Sequence, residues 1–95
     1  MAVVRIRRYT VEQNDLDELL ARRAKAIAVI RAAHPGLACT QLTQLDDGTF
    51  TDTWRWDSAE QMQAALAAMP IPEARAALSL THDATTVNGE IIDER

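Results

Sequence analysis

The segment "DDGTFTDTWRWDSAEQ", Asp46 to Gln61, decides how this chain folds, because it carries a turn, a strand and a helix start in sixteen residues. Asp47-Gly48 suits a tight hairpin turn, where a residue with positive φ is needed. "TFTDTWRW", Thr49 to Trp56, follows as a strand, and its alternation places Phe50, Asp52, Trp54 and Trp56 on one face. "SAEQ", Ser58 to Gln61, has the Ser-x-x-Gln form of a capping box, with a hydroxyl and an amide available for the free N–H groups of a new helix. A carboxylate in line with three large aromatics needs a reason. It marks a pocket, a pairing with an arginine across the sheet, or a solvated sheet edge.

Working outward, "LACTQLTQL" (Leu37 to Leu45) is the partner strand of the hairpin. Before it, a helix runs from about Asp15 to Ala33, with Leu16, Leu19, Leu20, Ala24, Ile27 and Ile30 at helical spacing. Asn14 is the expected N-cap, and Asp15, Asp17 and Glu18 suit the positive end of the helix dipole. His34-Pro35-Gly36 stops it. Ala2 to Tyr9 reads as the first strand. Beyond "SAEQMQAALAAM", Pro70 ends the second helix and Pro72 opens a short third one. The Thr-rich stretch from Ser79 to Val87 is the last strand, broken by Asn88-Gly89. Ile91 and Ile92 in the tail call for burial. The order strand, helix, strand, strand, helix, strand is that of an α+β, ferredoxin-like split βαβ domain with one antiparallel sheet. Its helices cover one face of the sheet, so the other face meets water or a partner.

Ninety-five residues accommodate one domain, residues 1–95. A chain this short buries only roughly 60% of its unfolded surface, which favours self-association. The formal charge of −4 argues against a nucleic-acid partner. The one basic run, "RIRR" at Arg5 to Arg8, is split by strand alternation and forms no single patch. Cys39, the sole cysteine, rules out an intrachain disulfide and reads as a small buried hydrophobe. "MAVVRIRRY" has too brief an apolar stretch for a signal peptide or membrane span, so the cytoplasm is the expected location. His34, His82 and Cys39 show no metal-ligand spacing.

Together, "HPGL" at His34 to Leu37, the hairpin "LDDGTFTDTWRWDS", the "SAEQ" helix start and the ending "GEIIDER" resemble the antibiotic biosynthesis monooxygenase-like domains of the dimeric α+β barrel superfamily. The Trp56-Asp57-Ser58 pattern followed by Glu60 is the most characteristic part, and the resemblance spans essentially the whole chain. It implies a homodimer whose sheets pack face to face around a central barrel, with a pocket in each protomer between sheet and helices. Some members of that family oxidise polyphenolic polyketides or quinols with O₂ and no flavin, metal or haem; others degrade haem. The haem-degrading members have an asparagine on the first strand and a histidine on the helix after the third. Neither stands in "AVVRIRRY" or "SAEQMQAALAAM", so only Trp56 matches and haem is disfavoured.

Oxygenation without a cofactor needs flat walls for an aromatic substrate, a base and one or two hydrogen-bond donors. Trp54 and Trp56 offer walls and indole N–H groups, and both are equally natural core anchors. Asp52 is the candidate base and His82 the second candidate. Arg5, Arg7 and Tyr9 share one face of the first strand and suit an anion if that face is the one that lines the pocket. The catalytic candidates are therefore Asp52, His82 and Trp56. The substrate contacts are Trp54, Phe50, Arg7 and Tyr9. No metal and no cofactor are expected. The partners expected are a second copy of the chain and a small aromatic molecule, with neither nucleic acid nor membrane among them. The competing reading is a non-catalytic small-molecule-binding or stress-related dimeric domain of the same fold.

Overall fold

A computed structural model describes residues 1–95. Strand β1 (Val3–Val11) is followed by a single 3₁₀ turn (Gln13–Asp15), helix α1 (Leu16–Ala33), strands β2 (Leu37–Gln44) and β3 (Phe50–Trp56), helices α2 (Ala59–Ala67) and α3 (Pro72–Leu78), and strand β4 (Thr81–Glu90). The four strands form one antiparallel sheet in the order β2-β3-β1-β4. This is the ferredoxin-like α+β arrangement expected from the element order.

The hairpin forms at the expected place. Gly48 takes φ +87°, and its N–H donates to the Leu45 carbonyl at 2.9 Å. The Asp47 carboxylate accepts from both the Thr49 N–H (3.0 Å) and its hydroxyl (2.6 Å), which holds the turn rigid. At the start of α2 the Ser58 hydroxyl accepts from the Gln61 N–H at 3.2 Å. The reciprocal half of the box differs from expectation, since the Gln61 side-chain carbonyl accepts from the Ser58 hydroxyl at 2.9 Å instead of satisfying a backbone N–H.

Several expectations are corrected. Asn14 lies inside the 3₁₀ turn and caps nothing, so α1 begins at Leu16. The buried stripe of α1 is Leu19, Ala26, Ile27 and Ile30, while Leu20 and Ala24 are exposed. Cys39 is exposed: β2 is an edge strand with a register shift between Leu37 and Cys39, which turns Leu37 inward and Cys39 out. Asn88-Gly89 does not break β4. Both residues pair with β1, opposite Arg5 and Val4, and the Arg5 guanidinium donates to the Asn88 carbonyl oxygen at 3.1 Å. Ile91 is half-buried, but Ile92 is almost fully exposed.

The register of β1 and β3 determines which side chains meet beneath the helices. On the face covered by helices, Val3, Arg5, Arg7 and Tyr9 stand opposite Trp56, Trp54, Asp52 and Phe50. Apolar residues occupy the two ends of this array and charged ones the middle. The core divides accordingly. One cluster holds Val3, Ile27, Ile30, Leu37, Trp56, Met62 and Ala65; the other holds Tyr9, Leu19, Phe50 and Ala77. Alanines on the helices above the charged middle lack the bulk to fill the space between.

Candidate functional site

That unfilled space is a cavity of about 420 Å³ between the sheet and the three helices. Its floor is formed by Arg5, Arg7, Asp52, Trp54 and Trp56 from β1 and β3. Its roof includes Ala26 and Ile30 of α1, Ala65 and Leu66 of α2, and Ala74 and Leu78 of α3. Met69, Pro70 and Arg75 lie where α2 passes into α3 and line it as well. The size is that of a small-molecule site, and most of the lining is apolar with a few polar groups.

Asp52 is the hub of the polar floor. Its carboxylate takes a two-pronged contact from Arg23 of α1, Nε to Oδ2 at 3.0 Å and Nη2 to Oδ1 at 2.9 Å. Tyr9 Oη donates to Oδ2 at 3.1 Å and Trp54 Nε1 to Oδ1 at 2.8 Å. Four donors occupy a group with about four acceptor positions. The arginine partner therefore comes from the helix, although Arg7 is the residue opposite Asp52 in the sheet. A general base needs an open acceptor facing the substrate. The Asp52 carboxylate has none and acts instead to fix Tyr9, Arg23 and Trp54 in place.

Burial pushes the Tyr9 hydroxyl above its ordinary pKa, and the charge and hydrogen bond of Asp52 add to the effect. The folded state thus holds the phenolic proton more tightly than the unfolded chain does. The resulting stabilisation is complete below the ordinary value of 10.0 and is lost as pH rises above it toward the raised folded value. Unfolding free energy should fall between pH 10 and 11 with a slope approaching about 1.4 kcal/mol per pH unit. Denaturant titrations of the native chain and of Tyr9→Phe test this, because the variant, lacking the only tyrosine, should lose that slope.

Trp56 differs from Trp54. It is 2% exposed, and its Nε1–H is buried without any hydrogen-bond partner. An orphaned buried donor costs about 1–3 kcal/mol, and among the buried side-chain polar atoms Trp56 Nε1–H alone carries that cost.

Two of the residues expected at the site stand elsewhere. Phe50 is buried in the second core cluster, stacked on Tyr9 with ring centroids 6.3 Å apart, and does not line the cavity. His82 is exposed on the opposite face of the sheet. Unbroken pairing from Arg8-Thr85 would put His82 opposite Val11, on the cavity side. A bulge between Arg8 and Thr10, where Asp83 takes φ 55°, inserts one residue and pairs His82 with Thr10 instead. Thr81 lines the cavity in its stead. Arg23 and Arg75 were missed by sequence reasoning. Arg23 had a legible signal, since it stands four residues from both Leu19 and Ile27 and so interrupts the buried stripe with a charge.

No protein-family model matches the sequence, and no curated protein matches it. Solved structures do. A point mutant of SnoaB, a cofactor-independent oxygenase from Streptomyces nogalater, superimposes with a TM-score of 0.77 over 98% of this chain and 95% of its own, at 22% identity. A candidate antibiotic biosynthesis monooxygenase from Caulobacter crescentus gives 0.74 over 97% and 91%, at 13% identity. A haem-degrading protein from Mycobacterium tuberculosis gives 0.72 over 100% and 99%, at 23% identity. The chain has the fold of the antibiotic biosynthesis monooxygenase-like proteins. At these identities the likeness is one of fold, and the chemistry rests on the cavity itself.

The cavity's donor set does not fit a ligated haem. No histidine or cysteine lines it, and the Tyr9 hydroxyl is engaged with Asp52. Met69 is the one remaining soft donor. No three His, Cys, Asp or Glu side chains stand together as a metal site, and no helix is long and apolar enough to cross a membrane.

Proposed function

We propose that this chain is a cytoplasmic, homodimeric oxygenase that oxidises a flat phenolic, anthrone-like or quinol substrate with O₂, using neither flavin nor metal. The observation that carries the reading is an apolar cavity of small-molecule size that is walled by Trp54 and Trp56 and bears arginines. The fold shared with a cofactor-independent oxygenase supports it.

In this mechanism the substrate supplies the electrons. Its aromatic body stacks among Trp54, Leu66 and Met69, and a ring oxygen accepts from Trp56 Nε1–H after displacing the side chains that cover it in the empty protein. Proton loss needs no protein base. The cationic lining favours the substrate anion and so lowers the acidity threshold of its phenol or enol. The carbanion form of an anthrone-type methylene then reduces O₂. One oxygen atom becomes the new carbonyl and the other leaves as water with the two methylene hydrogens. The helices keep bulk water from the anion, and the Asp52 hub holds the floor still.

Oxygen uptake tests the reading. With an anthrone or quinol substrate, in buffer stripped of flavin and metal, the protein should raise O₂ consumption well above the protein-free rate. Uptake equal to that control for substrates that quench tryptophan fluorescence would favour the non-catalytic binding domain.

The dimer is formed through the sheet face that the helices leave open. Val4 and Ile6 of β1 and Thr51 and Thr53 of β3 are half-buried there in a single chain, and Val87 of β4, opposite Ile6, is 62% exposed. A second copy covers these residues. Light scattering at micromolar concentration should give the mass of two chains, and Ile6→Lys should give that of one. A monomeric native protein would remove the dimer from the account.

A further inference from the structure

The cavity is electrically unlike the rest of the molecule. Five charged residues line it, Arg5, Arg7, Arg23, Arg75 and Asp52, and Arg23 neutralises Asp52. Two positive charges, Arg5 and Arg7, are left on the floor of an apolar space and a third, Arg75, at its exposed rim, in a chain whose formal charge is −4. Of the nine arginines, Arg8, Arg22, Arg23, Arg55 and Arg95 are in ion pairs. Of the four that are not, Arg31 donates to the Leu37 carbonyl, and the other three are Arg5, Arg7 and Arg75. Arg5 and Arg7 stand two residues apart on the same face of β1, roughly 7 Å along the strand. Both are half-buried. Burial and the neighbouring charge of Arg7 pull the Arg5 guanidinium below its ordinary pKa. Arg5 has only the neutral Asn88 carbonyl as a partner, and Arg7 has no side-chain hydrogen bond. Two like charges held together without a counter-ion destabilise the empty protein and attract an anion.

The position of this cationic group matters as much as its charge. Trp56 stands opposite Val3, four residues along β1 from Arg7, which is roughly 13 Å of strand. The donor for the ring oxygen and the strongest positive field thus lie at different points of the floor, with Trp54 between them.

We propose that the aromatic ligand of this cavity carries a carboxylate, which Arg5 and Arg7 bind from the floor and Arg75 from the rim, while the far end of its ring system reaches Trp56. The proposal rests on the preceding reading only in taking the ligand to be flat and aromatic; it does not depend on oxidation. Guanidinium forks match a carboxylate's two oxygens, and such charge-assisted contacts are among the stronger hydrogen bonds. The acid group selects among aromatic molecules that the Trp54 and Trp56 walls would accept alike.

The test is a binding measurement without turnover. Anthraquinone-2-carboxylate and anthraquinone-2-carboxamide, equal in shape and different in charge, are titrated into the anaerobic native protein by calorimetry. The acid should bind at least about ten-fold more tightly than the amide. Arg7→Gln should remove most of that preference and leave amide binding within about two-fold. Arg75→Gln, on the exposed side of α3, should reduce it in a protein whose fold is not at risk. Equal affinity for the two probes, failure of both to bind, or a preference unchanged in both variants would overturn the proposal. Selective binding of the acid without any oxygen uptake would uphold it while removing the oxygenase reading, so the two fail separately.

Discussion

Arg23→Met should lower the unfolding free energy by about 3–5 kcal/mol, the largest stability loss expected from any single change at the site. The reason is the state in which it leaves Asp52. The two side chains are only 15% and 11% exposed, so both charges have been taken out of water. Removing the guanidinium deletes two of the four hydrogen bonds to the carboxylate and leaves its charge buried with only Tyr9 and Trp54 as donors. Asp52→Asn in the same background should recover most of the loss, because a neutral amide still offers a carbonyl oxygen to those donors. Urea titrations of the native protein and the two variants measure this directly. A loss below about 1 kcal/mol for Arg23→Met would place the pair in the class of weak surface bridges and remove Asp52 as the hub.

Trp56→Phe should reduce oxygen uptake about 100-fold, the loss typical of deleting one donor to a developing oxyanion. Its effect on stability should be small by comparison, about 1 kcal/mol, since a smaller ring replaces a larger one and a buried orphan N–H disappears with it. This opposition separates a site residue from a core residue. A Trp56 that merely filled space would lose stability and leave turnover close to normal. The equivalent change at Trp54 removes a donor already committed to Asp52 and should disturb binding more than the chemical step.

The fold was largely legible because its signals are local. Gly48 at the turn, Ser58 at the cap and Pro72 at the start of α3 each act within a few residues, and each stands where the pattern placed it. The alternation of β3 also placed Asp52, Trp54 and Trp56 together on one face, which the structure shows to be the covered one. What failed depended on distant pairing. The bulge at Asp83 turns His82 away from the cavity, and it arises from the register between strands some seventy residues apart in sequence. Cys39 is exposed for a similar reason, a shift between β2 and β3. Phe50 lies on the expected face yet misses the cavity, because Tyr9 stacks on it and closes that end. Asp52 kept its prominence with a different role. The partner that changes it, Arg23, arrives from a helix, and no strand pattern announces a contact from above the sheet.

In a cofactor-free oxygenase, dioxygen itself is the source of the oxygen placed in the product. The direct measurement is a turnover of an anthrone carboxylate under ¹⁸O₂ in ordinary water, with flavin absent and metals chelated, followed by mass spectrometry of the product. Incorporation of one labelled atom per product, dependent on the native protein and lost in Trp56→Phe, is the predicted result. Product that is unlabelled, or that takes its oxygen from water, would contradict it.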